Sequence, residues 1–330
     1  MSADRKLVIL GANSFAGIAV LRAALKENMT VLGLSRSPLR SKLYFPDMPE
    51  SGSYTFLQRD INDDNAAAAA DILAFNPDYV VDLAGQSMVA ESWLAPEQWY
   101  QTNIVSKVKL LEALRKLPRL QKYVRVSTPE LYGNTESLIS ESFVYRPSTP
   151  YAVSHAAIDM HVMTSVNQYG FPAVLTRFSN FYGPGQQLYR IIPRTIIYAR
   201  MGRKLPLHGG GTSTRAFIYR DDIGSAAMAA LARGNVGEVY HFSTNDFTTI
   251  RDLVRKIHAL LGTDFASLVE ESEDRPGKDA HYLMSDAKAR TTLGWRDTVS
   301  LEEGVGKTIQ WVEDNWQAIS KEPLDYIHKK

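Results

Sequence analysis

The 330-residue chain contains no cysteine. That removes disulfides, thiolate nucleophiles and cysteine-ligated metals, and fits a reducing compartment. Net charge is nearly absent: 37 Lys and Arg stand against 36 Asp and Glu. No global field therefore draws the chain to nucleic acid or to an anionic membrane. No apolar run approaches the roughly 20 residues of a membrane helix. The first such run is broken at Gly11, too soon for a signal peptide. His, Asp and Glu do not cluster at metal-ligand spacing, and no segment repeats. These absences lead us to expect a cytoplasmic protein with no metal, nucleic-acid or membrane partner. At 45% hydrophobic and 22% charged residues the composition is that of a globular protein with ample core.

What is present is an alternation. Residues 6–10, 29–34, 54–58, 79–83, 123–126 and 172–178 read as strands. Helical patterns separate them, among them long ones at 96–117 and from 151 to about 169. Such alternation implies a parallel, doubly wound α/β sheet. Between the first strand and first helix lies Gly11-Ala12-Asn13-Ser14-Phe15-Ala16-Gly17. Strand, glycine turn and helix is the context that makes a nucleotide-phosphate site.

A second cluster frames the fifth strand and the helix from 151. Ser127-Thr128-Pro129-Glu130-Leu131-Tyr132-Gly133 follows the strand. Tyr151-Ala152-Val153-Ser154-His155 opens the helix and sets Tyr151 and His155 one turn apart on one face. Ligands of open parallel sheets bind beyond the strand ends. A phenol, a hydroxyl and a carboxylate there form a proton-handling set.

At these residues the chain resembles the extended short-chain dehydrogenase/reductases of the NAD(P)-dependent epimerase/dehydratase family, above all the nucleotide-sugar 4,6-dehydratases. Those of dTDP-glucose carry Ser-Thr-Asp-Glu-x-Tyr-Gly, and those of GDP-mannose carry Thr-Ser-Glu-Leu-Tyr-Gly. Both follow it with Pro-Tyr-x-x-x-Lys. Glu130 and Tyr151 match; Pro129 and His155 depart, standing where the pattern has Asp and Lys. The glycine turn matches at Gly11 and Gly17, with Ser14 in place of the middle glycine.

The resemblance implies a Rossmann-type sheet with a smaller mixed α/β substrate-binding part. Residues 1–178, with a return around 216–244, would bind the dinucleotide, and 179–330 would mainly bind the sugar nucleotide. It implies C4 oxidation, elimination of water across C5 and C6, and hydride return to C6. The catalytic set is Thr128, Glu130, Tyr151 and His155. Cofactor candidates are Gly11, Asn13, Ser14, Phe15, Gly17, Arg36, Asp60, Ile61, Leu83, Ala84, Gly85, Tyr151 and His155. Substrate candidates are Gln86, Ser87, Thr128, Asn180, Arg190, Leu207, Arg215 and Arg275, with the two last arginines on the diphosphate. Asn103 matches a family Asn near the active site, or is an exposed helical residue. After the second strand the chain reads Ser35-Arg36-Ser37 with no acid, which favours NADP over NAD. Decarboxylases and epimerases of the same family are the alternatives, and a non-catalytic NAD(P)-binding sensor is another. Apolar residues Ile104, Val108, Leu111, Ala156, Met160 and Met163 point to a homodimer joined by a four-helix bundle.

Overall fold

The computed structural model describes residues 5–49, 52–135, 137–273 and 283–328. In chain order it gives β1 (Lys6–Leu10), α1 (Phe15–Lys26), β2 (Thr30–Ser35), β3 (Ser53–Gln58), α2 (Asn65–Phe75) and β4 (Tyr79–Asp82). Next come α3 (Pro96–Tyr100), α4 (Lys107–Leu114), β5 (Lys122–Ser127), α5 (Pro150–Tyr169), β6 (Ala173–Phe178) and β7 (Asn180–Tyr182). The remainder runs through α6 (Ile191–Arg200), β8 (Leu205–His208), β9 (Thr214–Tyr219), α7 (Arg220–Arg233), β10 (Val239–Phe242), β11 (Phe247–Thr249), α8 (Ile250–Leu261) and β12 (Val269–Ser272). A last long helix covers Leu301–Asp314.

Seven strands form one parallel sheet in the order β10-β6-β5-β4-β1-β2-β3. Alternate residues of each strand serve opposite faces. Leu7, Ile9, Val31, Val81 and Val124 join a core with α1 and α7, while Val8, Leu10, Leu32, Val80 and Tyr123 join one with α2, α4 and α5. Both faces are thus covered, as a parallel sheet requires. The strand order reverses between β1 and β4, which opens a crevice past Leu10 and Asp82.

The return to this sheet is made by α7 and β10. Ala216 to Tyr219 instead belong to β9, in a three-stranded sheet with β7 and β11. A parallel β8–β12 pair stands beside it. A third core, with Tyr182, Ile196, Leu207, Leu253 and Trp311, underlies this part.

One expectation needs correction. The long helix from Pro96 is interrupted: a π-helical segment over Gln101–Ser106 separates α3 from α4. Such widened turns re-aim side chains and gather at functional sites. Here the segment carries Asn103, which is fully buried rather than exposed.

Candidate active site

The first wall of the site is the turn between β1 and α1. Gly11 has φ +84, and a Cβ there would lie 2.9 Å from the Ala84 nitrogen. A Cβ on Gly17 would overlap the Gly11 carbonyl oxygen. Both glycines are therefore demanded by backbone contact. Ser14 is the N-cap of α1, and its Oγ accepts from the Gly17 N–H at 2.9 Å. The serine thus closes the turn from within and keeps its hydroxyl hydrogen for a ligand. Asn13 ties the turn to the end of β2: its N–H donates to Ser35 Oγ, and its Nδ2 to the carbonyls of Ser37 and Pro38. Asn13 Oδ1 is buried with no partner among the described residues.

Past β2, Arg36 is half-buried, and its carbonyl accepts from Gln58 Nε2 at 3.0 Å. Asp60 accepts from the Asn62 N–H at 2.8 Å and shapes the turn after β3. Ile61 packs into the core beneath α2. None of these three lines the main cavity, and neither do Gly11, Asn13 or Gly17, which lie behind Ser14, Phe15 and Ala16.

Leu83, Ala84 and Gly85 leave β4 across the crevice. Asp82 Oδ1 accepts from the Ala84 N–H at 3.0 Å. Asn103 then fixes the next residue from both sides, accepting from the Gln86 N–H at 2.8 Å and donating to its carbonyl at 3.1 Å. The same amide donates to Ser154 Oγ at 2.9 Å, and Ser154 Oγ donates to the Tyr151 carbonyl at 2.7 Å. Ser92 Oγ accepts from the Tyr151 N–H at 3.2 Å. The loop after β4 and the helix bearing Tyr151 are thus one hydrogen-bonded unit. A Cβ on Gly85 would sit 2.7 Å from Asn103 Oδ1, so this contact needs a glycine.

Past β5, Pro129–Tyr132 forms a 3₁₀ turn capped by Thr128, whose Oγ1 accepts from the Glu130 N–H at 3.3 Å. Pro129 occupies the first position, where no N–H is needed. The departure from the acidic residue is thus compatible with the turn that presents Glu130. Tyr151 opens α5 behind the Thr149 cap and Pro150. Its ring centroid is 4.6 Å from that of His155.

Beneath His155 the sheet face changes from apolar to charged. Asp82 of β4, Arg125 and Ser127 of β5, Arg177 of β6 and His241 of β10 lie side by side, all buried. Lys107 Nζ lies 2.7 Å from both Asp82 oxygens, and Tyr123 donates to Asp82 at 2.7 Å. Burial alone would raise that carboxyl; Lys107 and Arg125 hold it below its ordinary value. Ser127 donates to Asp159 at 2.7 Å, and Arg125 and Arg177 flank Asp159 at 3.5 and 3.6 Å. Burial, reinforced by the charges of Arg125 and Lys107, pushes His155 well below the usual imidazole range.

These walls enclose a cavity of about 810 Å³. Thr128, Glu130, Tyr151 and His155 share it with Ser14, Phe15, Leu83, Ala84 and Gly85. Gln86, Ser87, Asn180, Arg190, Leu207 and Arg215 line the same space. Arg275 lies outside the described residues. The structure adds Arg194, Tyr189 and His208 to the lining, and buried oxygens of Ser179 and Gln186 that have no partner among the described residues. Nothing in the sequence marked Arg194, which sits one turn into α6. Arg125 was hidden in what reads as an apolar strand.

Residues 8–308 match the family model described as GDP-mannose 4,6 dehydratase. The chain is 32% identical to a dTDP-glucose 4,6-dehydratase of Neisseria meningitidis, over 96% of each chain. It is also 32% identical to a trifunctional UDP-glucose 4,6-dehydratase/3,5-epimerase/reductase of Arabidopsis thaliana, where the match takes in 80% of this chain and 40% of the relative. Among solved structures it superposes on DesIV, a dTDP-glucose 4,6-dehydratase from Streptomyces venezuelae with NAD and TYD bound. The TM-score is 0.87 at 28% identity, with 94% of this chain and 98% of that one covered.

Proposed function

Because the chain belongs to the GDP-mannose 4,6-dehydratase family, within the NAD-dependent epimerase/dehydratases, we propose how its own residues convert a nucleotide-diphosphate sugar to the 4-keto-6-deoxy product. The observation that carries this reading is the shared cavity: Thr128, Glu130 and Tyr151 face one space that is also lined by Ser14, Phe15 and Ala16 from the glycine turn and by Arg215.

The glycine turn fits a dinucleotide. Its two glycines leave no room for side chains, Ser14 keeps a hydroxyl hydrogen at the helix start, and Asn13 Oδ1 is a buried acceptor with no partner among the described residues. When bound, a nicotinamide dinucleotide supplies the hydride acceptor for C4 and the hydride donor for C6. We assign its binding to residues 1–178 with the 216–244 return, and sugar-nucleotide binding mainly to 179–330. DesIV was solved with NAD. In this chain the end of β2 offers Arg36 and no acid, and on that ground we propose NADP.

Tyr151, ionised, takes the proton of the sugar C4 hydroxyl while Thr128 hydrogen-bonds the same oxygen. The C4 ketone acidifies C5–H. Glu130 takes that proton and gives it to the departing C6 hydroxyl, which leaves as water; when hydride returns to C6, C5 takes up a proton, balanced by the one Tyr151 took from the C4 hydroxyl. One carboxyl in both roles suits a site with Pro129 where the resembled pattern has a second acid. Arg215, on β9 and facing the cavity, is assigned to the diphosphate. The test is a panel of GDP-, dTDP- and UDP-sugars followed by mass spectrometry. Loss of water supports dehydration. Loss of carbon dioxide, or isomerisation without mass change, would move the chain to the decarboxylases or epimerases.

A further inference from the structure

His155 has a neighbour whose chemistry decides the ring's state. Arg125 Nη2 lies 3.1 Å from His155 Nδ1. A guanidinium only donates. Nδ1 must therefore offer its lone pair, and the ring proton sits on Nε2. A second proton on Nδ1 would set two donors and two cations against each other.

The arginine is committed to this contact. Its nearest polar atoms are the Val126 carbonyl and His155 Nδ1, both at 3.1 Å, whereas the carboxylates of Asp159 and Asp82 stand off at 3.5 and 3.6 Å. Those carboxylates have closer partners: Asp82 has Lys107 and Tyr123, and Asp159 has Ser127. The groups around the His155 and Tyr151 rings are thus Asp159 from the same helix, Arg125 and Ser127 from β5, Asp82 from β4, Lys107 from α4, and Glu130 across the cavity. A lysine at position 155 would press an ammonium onto Arg125.

We propose that Arg125 is a positioning residue of this site: it holds His155 as the neutral Nε2–H tautomer and supplies, from the layer beneath, the fixed positive charge that favours ionised Tyr151. The catalytic meaning of that charge rests on the dehydratase reading, but the tautomer and the charge are both measurable without substrate.

The experiment has two readouts. In ¹⁵N-histidine spectra, with the His155 signals assigned by their loss in His155→Lys, Nε2 should be protonated and Nδ1 bare from about pH 5 to 9. A proton on Nδ1, or titration near the ordinary imidazole value, overturns the proposal. The second readout is the ionisation midpoint of Tyr151, taken as the ultraviolet difference between otherwise identical proteins with and without Tyr151→Phe. Arg125→Leu should raise that midpoint by at least about one pH unit, and Arg125→Leu with His155→Lys should bring it back. An unmoved midpoint in folded Arg125→Leu overturns the proposal. So does a double variant whose midpoint stays a unit or more above wild type, which keeps the test decisive should Arg125→Leu not fold. A protein that passes both readouts yet dehydrates no sugar nucleotide would sink the functional reading and leave this one standing.

Discussion

The Tyr132 hydroxyl donates to His241 Nε2 at 2.8 Å, at the far end of the buried charged layer. The other ring nitrogen donates to the Ser285 carbonyl at 3.2 Å, which fixes the neutral tautomer. Tyr132 in turn accepts from Arg177 and from the Ser142 N–H. Burial, and then Arg177, lower His241 to about 3.

This contact predicts an acid instability. His241 stays neutral in the fold while the unfolded chain protonates it near 6.5. The unfolded state therefore binds more protons below that pH, and stability falls as pH drops from about 6.5 toward 3. By pH 5 the loss from this group is about 2 kcal/mol. Urea unfolding of wild type and His241→Gln between pH 7 and 5 measures it. The variant should show the shallower pH slope; equal slopes would remove His241 as a source.

The cofactor assignment predicts that NADP binds more tightly than NAD. Arg36→Ala should cost NADP about 1.5–3 kcal/mol, the worth of a hydrogen bond to a charged group, and leave NAD nearly unchanged. Titration of both cofactors against both proteins decides. Equal affinities, or a preference for NAD in the wild type, would contradict the role of Arg36.

The proposed dimer rests on a narrower stripe than the sequence pattern suggested. Leu111 and Ala156 are buried in their own subunit's cores, whereas Met160 is 59% exposed, with Val105 and Val153 also open. We expect a homodimer in sedimentation at micromolar protein, weakened by Met160→Glu. A monomeric mass for the wild type would count against the helix-bundle pairing.

Much of the fold was legible because short apolar runs bounded by turn residues and strand–helix alternation are local signals. Leu7 to Leu10 and the glycine turn were readable for that reason, and the parallel sheet followed. The π segment at Asn103 was not, since its cause is tertiary: one amide must reach both Gln86 and Ser154. The departures were legible as residues but not as solutions. Ser14 turned out to be a helix cap, Pro129 the first residue of a capped turn, and His155 the partner of Arg125. Arg125 itself could not be read as polar machinery. A single arginine within a strand of apolar residues gives no sign that four neighbouring strands and helices bring charges to the same face.

The most direct test of dehydration is a single-turnover experiment on Glu130→Gln, with cofactor absorbance and sugar mass followed together. In the proposed mechanism C4 oxidation uses Tyr151 and Thr128, whereas elimination needs the Glu130 carboxylate. Glutamine retains the shape and one acceptor but is no base near neutral pH. Substrate should still reduce some bound cofactor, while the 4-keto-6-deoxy product falls by at least about 100-fold. Near-normal dehydrated product from this variant would contradict the account.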